Sequence, residues 1–371
     1  MVKTFRWGSQ GMEYPMETSE PNVARPIDAR PTIPVFLVHQ ILLGARRLAV
    51  PLDPVLRRAG ISRALLDSPS ARVTQTQCAN LMRILRRVMR DEFWGLLGRP
   101  VRPGTYALAC RAMVGEATLG QAIRAGLAHY RLHIDDFVPR LQVRGEVASL
   151  RLFGQALPSE PVAFAQSTFI YQAFGLSSWL TGQTLPLRGV DFVRPPVLGM
   201  GGELQRMFDA PAHALQQHTA LHFDARLLAL PVVRDDTGLA TFLAEAPGNL
   251  VLRYREDDSL REQVRNQLCS RLRNVQDADA TSLETVADAL GMPAATLRRR
   301  LWEEDSSFQA IKDTIRRDVA IRDLETSSLS VQEIAERLGF SEPSAFHRAF
   351  KKWTGVAPGE YRRRHRAADG D

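Results

Sequence analysis

Apolar residues recur twice in the last quarter of the chain with the period of a helix face. In SLETVADALGM they are Leu283, Val286, Ala287 and Leu290; in SVQEIAERLGF they are Val331, Ile334, Ala335 and Leu338. Both sets follow i, i+3, i+4, i+7, the buried stripe of a short helix. Each run stops at a glycine, Gly291 or Gly339, a residue free to take the positive φ at which helices end. A second, basic amphipathic stretch follows each stop: TLRRRLWEE, then SAFHRAFKKW. Leu297 with Leu301, and Phe346 with Phe350, lie four apart and share the buried side, so the basic residues between them point elsewhere. Helix, glycine turn and basic helix describe a helix-turn-helix. Two of them within about 100 residues point to a protein that reads two successive turns of DNA. The units are offset by 48 residues up to the glycine and by 49 beyond it, where Leu297 pairs with Phe346.

Upstream, the pattern predicts an α+β domain. PVFLVHQILLGARRLA, with Pro34 at its start, reads as one amphipathic helix. TQTQCANLMRILRRVMR and TLGQAIRAGLAHYRL read as two more, each opened by a threonine cap. From Phe137 to Phe153 apolar and polar residues alternate around Arg144-Gly145-Glu146, which predicts a β-hairpin. A long helix follows within Glu160 to Leu180, then strands at Leu187 to Val193 and Thr219 to Phe223. The expected fold is thus an α+β N-terminal domain (helices plus a small, mostly antiparallel sheet) over residues 33–230, followed by an all-α domain with two helix-turn-helix units. Residues 1–32, with Pro15, Pro21, Pro26 and Pro31, are expected to form a disordered or loosely attached arm. Residues 231–264 are expected to be a linker region, with Asp257 or Asp258 capping the helix SLREQVRNQLCSRLRNV, and residues 365–371 a tail.

Charge sharpens this picture by its placement. The net charge of +7 suits a polyanionic partner, yet Thr281 to Asp371 holds 15 Lys and Arg against 15 Asp and Glu. The DNA-reading expectation therefore rests on the clusters Arg298-Arg299-Arg300, Lys351-Lys352 and Arg362-Arg363-Arg364 with Arg366, and not on bulk charge. No apolar run approaches the ~18 residues of a membrane span. Lys3 and Arg6 are not followed by an apolar segment, so no signal peptide is expected. Cys78, Cys110 and Cys269 are widely scattered, which argues against a disulfide framework or a zinc site and fits a reducing cytoplasm.

The second unit is the more specific. Ser341 stands where an N-cap belongs, and Gly355, Pro358 and Tyr361 close the unit. The string IAERLGFSEPSAFHRAFKKWTGVAPGEYR resembles the signature of AraC/XylS-family transcription regulators. The likeness spans Arg265 to Arg364 and includes a joining helix with Arg317, Ala320 and Leu324. It implies helix-turn-helix units at 284–305 and 331–354 whose recognition helices enter adjacent major grooves. Carried over position by position, the base-contact candidates are Ala295, Arg298 and Arg299 in the first unit and Ser344, His347 and Arg348 in the second. Arg300, Lys351 and Arg362 are phosphate candidates. Two positions depart from the family pattern: Pro293 replaces a serine cap and Asp305 an expected glycine. The first unit is therefore expected to be the less well capped, and the two to contribute unequally.

HTALHFDARLLALPVVRDD (His218 to Asp236), with RAGISRALLD and EFWGLLG before it, is similar to the so-called arabinose-binding or dimerisation domain of one subgroup of that family. The label does not identify a ligand. The two resemblances imply a transcription activator with double-stranded promoter DNA, RNA polymerase, a small organic effector and a second copy of the chain as partners. They imply a cytoplasmic, nucleoid-associated protein with no membrane contact and no cofactor. Two other readings remain open: a ligand-independent regulator whose N-terminal domain only dimerises, and an enzyme fused to this DNA-binding module. The second would need a zinc-binding cysteine cluster or a cysteine on a strand–helix elbow, and the three cysteines supply neither. No catalytic residues and no metal site are expected. His218 and His222, on a strand, stand ~13 Å apart and cannot chelate one ion. His213 completes no cluster with them. Gly199, Gly201 and Gly202 lack the strand–helix setting of a dinucleotide fingerprint. Phe164, Tyr171 and Trp179 read as core and not as the wall of a pocket.

Overall fold

The structure is a computed structural model that describes residues 32–67, 71–194, 208–245, 260–273, 281–303 and 306–366. The expected arm up to residue 31, the capping aspartates at 257 and 258, the glycines at 199, 201 and 202, and Asp305 lie outside the described residues.

A two-stranded ribbon opens the fold. β1 (Ile33–Pro34) pairs antiparallel with β2 (Arg72–Val73). Between them run α1 (Val35–Ile41), α2 (Leu43–Arg47), α3 (Leu52–Ala59) and α4 (Arg63–Leu66). The single helix expected from Pro34 onward is divided at Leu42, and just beyond the division the backbone is crowded. Gly44 lies against the Trp94–Gly95 backbone, and a Cβ built on it would stand 2.1 Å from the Trp94 carbonyl oxygen. Asp91 shapes the opposing loop, its Oδ1 accepting from the Phe93 and Val101 amides and its Oδ2 from that of Gly95. Arg47 locks the contact by donating from Nη2 to the Gly95 and Leu97 carbonyls, each at 2.6 Å. Because the obstacle is backbone on both sides, Gly44→Ala should lower unfolding free energy by about 3 kcal/mol or more, the upper end for overpacking. A urea midpoint indistinguishable from that of the parent would show that the two segments separate freely.

α5 (Gln75–Met89) and α7 (Leu119–Tyr130) start at the threonines expected. Thr74 and Thr118 each accept from the amide three residues on, and Gln77 and Gln121 reach back to complete capping boxes. α6 (Thr105–Val114) packs on α7. The hairpin is present as β3 (Phe137–Arg144) and β4 (Val147–Gly154), turning at Gly145 with φ 58°. With β5 (Leu187–Asp191), β6 (Ala212–His213) and β7 (Thr219–Asp224) it forms a sheet of order β3-β4-β7-β5-β6, antiparallel throughout except for β5–β6. α8 (Glu160–Thr181) and α7 cover one face. There Tyr130, Phe169 and Phe137 stack edge to face at 5.0 and 5.6 Å. Part of the expected linker belongs to this body: in α9 (Asp236–Glu245), Phe242 stacks on Trp179 at 4.4 Å.

The C-terminal part is helical: α10 (Leu260–Arg273), α11 (Leu283–Ala289), α12 (Ala294–Glu303), α13 (Phe308–Thr326), α14 (Val331–Arg337), α15 (Pro343–Thr354) and α16 (Pro358–Arg366). A polar seam joins it to the ribbon. Thr32, the last residue of the expected arm, is buried; its hydroxyl donates to Asp318 Oδ1 on α13 at 2.7 Å and accepts from Arg72 Nε at 2.7 Å. Tyr361 OH lies 2.8 Å from the Arg72 carbonyl and 3.2 Å from Glu325 Oε1. Asp318 is 0% exposed, and Arg317 donates to the same Oδ1.

Candidate nucleic-acid interface

The two helix-turn-helix units share their turn geometry bond for bond. Ser282 caps α11 by accepting from the Thr285 amide, and Ser330 caps α14 in a full capping box with Glu333. At the other end, the Gly291 amide donates to Asp288 O and the Met292 amide to Ala287 O, at 3.0 and 3.1 Å. In the second unit Gly339 donates to Glu336 O and Phe340 to Ala335 O, at 2.9 and 3.0 Å. This pair of bonds is the Schellman closure, and it needs the positive φ of 67° and 71° found at the two glycines. α13 braces the second turn: Arg316 donates to the Gly339 carbonyl and lays its guanidinium 4.7 Å from the centre of the Phe340 ring.

The recognition helices follow these turns. Leu297, Leu301, Phe346 and Phe350 are fully buried, as their spacing predicts. One expectation fails. Ser341 is not the N-cap of α15; that position is Glu342, with no side-chain capping bond, and Pro343 is the first helical residue. Proline fixes a helical φ and has no N–H to be capped, so the helix begins beside it and Ser341 is left one residue too early. Pro293 and Glu342 occupy equivalent places: their carbonyls accept from the Leu297 and Phe346 amides at 3.0 and 3.3 Å. At the recognition helices the expected difference in capping therefore disappears.

Outward from the stripe, Ala295, Arg298, Arg299 and Arg300 on α12 are exposed, as are Ser344, His347, Arg348 and Lys351 on α15. Arg298 and Arg348 have no protein partner among the described residues. Arg299 is held by Glu303 one turn on, Nη1 to Oε1 at 2.6 Å, a surface pair that a phosphate or base can displace. α15 carries Arg348, Lys351 and Lys352 and no acid between Pro343 and Thr354. Arg362 differs from the other phosphate candidates: it is half-buried on α16, and its charge acts on Glu333. The Glu333 carboxyl is held below its ordinary range, chiefly by the Ser330 amide and then by the Ser330 hydroxyl, with Arg362 adding a smaller pull. Sequence reasoning passed over Trp302, 77% exposed on α12 beside these arginines. Its signal was an apolar residue one position off the buried stripe.

The histidines of the N-terminal body form a different arrangement. His222 takes Ser149 Oγ on Nδ1 and Asp191 on Nε2, both at 2.8 Å. His213 shares Asp191, and His218 stacks on Phe153. Among the described residues no three His, Cys, Asp or Glu side chains converge as metal ligands. No described helix is long and apolar enough to cross a membrane.

Two family models match the chain. Residues 50–232 match the arabinose-binding N-terminal domain of AraC transcription regulator, and residues 286–364 a helix-turn-helix domain. The chain is 25% identical over 340 residues to the ornithine utilization regulator of Pseudomonas aeruginosa, covering 89% of this chain and 96% of the relative. It is 29% identical over 345 residues to an uncharacterised HTH-type transcriptional regulator of Mycobacterium tuberculosis, again 89% and 96%. With the transcriptional activator NphR of a Rhodococcus species it shares 32% identity over 174 residues, 45% of this chain and 47% of the relative.

Proposed function

The chain belongs to the AraC family of DNA-binding transcription regulators, and on that premise we propose that it activates transcription by reading two adjacent major grooves under the control of a small organic effector. The observation that carries the reading is the pair of recognition helices with matched turns, each buried on one side and basic on the other. Two such helices about one helical turn apart, ~34 Å, on one face of the duplex would suit a bipartite operator. Arg298 and Arg348, exposed and without a partner among the described residues, are the readers of bases, because a guanidinium can bond guanine O6 and N7 together. Arg300, Lys351 and Arg362 set register on phosphates. The name of the Rhodococcus relative, an activator, favours activation, with RNA polymerase as the further partner and a second copy of the chain completing the assembly. The seam from Thr32 and Arg72 to Asp318 and Tyr361 gives the sensing domain a direct hold on the helix joining the two DNA-reading units.

The test uses an operator selected from genomic fragments and its single-base variants. Arg348→Ala should lose about 1–3 kcal/mol at particular base pairs and relax specificity there. Lys351→Ala should weaken all sequences alike and lower the salt slope by about 1. Equal, sequence-independent losses in both variants would sink this division of roles.

A further inference from the structure

Between α6, α7, α8 and the inner face of the sheet lies a cleft, part of it open to solvent. Of the 17 described residues lining it none is charged, and the polar side chains among them are those of Tyr106, Tyr130, Gln172 and Ser177. The Tyr106 hydroxyl is sealed from water and, among the described residues, has no oxygen or nitrogen partner; the Cys110 thiol beside it interacts with it as a hydrogen-bond partner. A thiol is a weak partner, so the hydroxyl is an under-used donor inside an apolar wall. One wall can give way. Met113 lies over Gly126, its sulfur 2.5 Å from where a Cβ on that glycine would stand, and a flexible thioether repacks readily.

We propose that this cleft is the effector site and that it takes a neutral, mainly apolar molecule presenting one hydrogen-bond acceptor, such as a ketone, ester or amide carbonyl, to the Tyr106 hydroxyl. The assignment rests on the reading that the N-terminal domain senses a small molecule. The exclusions follow from the wall. A carboxylate or phosphate would lose its hydration, meet no counter-charge among the lining residues and feel the Glu92 carboxyl behind Tyr106. A pentose, with a hydroxyl on nearly every carbon, would leave most of them unpaired. Neither a free sugar nor an amino acid fits, whatever the domain's label or a relative's name. Burial raises the Tyr106 phenol well above its ordinary range and the Cys110 thiol to about 12, so both stay neutral as donors.

The experiment titrates the full-length protein with N-phenyl-1-naphthylamine, a neutral probe that fluoresces in apolar surroundings. A saturable signal is expected, displaced by 4-phenyl-2-butanone but not by a large excess of L-arabinose or L-ornithine. Ala173→Phe, which fills the cleft, should cut probe affinity about tenfold or more, and the milder Ala173→Met should cut it less. Tyr106→Phe should weaken the ketone about three- to tenfold. Displacement by L-arabinose or L-ornithine, or undiminished binding in both Ala173 variants, overturns the assignment. Operator affinity is measured in parallel with saturating ketone. A filled cleft without any change in DNA binding keeps the site and removes effector control. A DNA response to a polar metabolite that leaves the probe in place keeps effector control and overturns the site.

Discussion

Phe350→Ala is expected to remove about 3–5 kcal/mol of stability from the C-terminal part and, with it, operator binding. Phe350 is 0% exposed and sits between the second recognition helix and α16, 5.7 Å from the Phe346 ring and edge-on to Tyr361 at 5.4 Å. Phe340 extends the same cluster to Phe346 and Trp353. Truncation leaves a cavity that helices on both sides are held away from by their own turns, so little of it can collapse. A domain is stable by only about 5–15 kcal/mol, so the loss takes a large part of the whole. The contrast with Arg348→Ala is diagnostic: that exposed residue should alter DNA binding and leave the urea midpoint in place. Full operator affinity and an unchanged midpoint in Phe350→Ala would show that the aromatic cluster does not hold the recognition helix.

Stability should also fall as pH rises from about 5 to about 8, through Glu325. Burial pushes its carboxyl up to about 8 from 4.5, and its Oε2 is closed off from water although the stem remains partly exposed. Hydrogen bonds from Tyr361 and Gln77 and the Arg322 charge pull the other way, and burial outweighs them. Tyr361 has one hydroxyl proton and two acceptors, the Arg72 carbonyl and Glu325. If Glu325 is protonated, it can donate to the tyrosine oxygen while Tyr361 donates to Arg72. The folded pKa is raised, so the folded state holds a proton that the unfolded chain releases above about 4.5. The stabilisation is complete below that pH, is lost as pH climbs through about 8, and is constant above. Linkage puts the total at a few kcal/mol. Glu325→Gln keeps the shape and has nothing to titrate, so the difference between parent and variant isolates the effect from other carboxylates. Parallel stability curves from pH 5 to 9 would place the carboxyl in solvent and dismiss the seam as a buried contact.

What was legible in the sequence was local. The helix-turn-helix stripes need four residues within two turns and a glycine at its end, and the hairpin needs alternation around Gly145; each signal lies within its own element. The close approach at Gly44 was hidden because its partner, the Trp94 carbonyl, stands fifty residues downstream. The cap at Ser341 was misread because a serine before a helix and a proline inside one compete, and the proline won. The cleft was illegible for another reason. Residues that line an apolar cavity and residues that fill a core have the same composition. Phe164, Tyr171 and Trp179 do not line the cleft, whereas Phe169 and Phe174, on the same helix, do.

The seam has a consequence for the order in which the molecule is made. Its bonds join residues 286 and 289 positions apart, Thr32 to Asp318 and Arg72 to Tyr361. On the ribosome the ribbon and the sheet are complete long before α13 and α16 emerge, and domains fold as units in that direction. The N-terminal body therefore positions Thr32 and Arg72 before Asp318 and Tyr361 are made, and the DNA-reading part is the last to join. A nascent chain arrested before Asp318 would carry the N-terminal body with neither of the seam's later partners yet made.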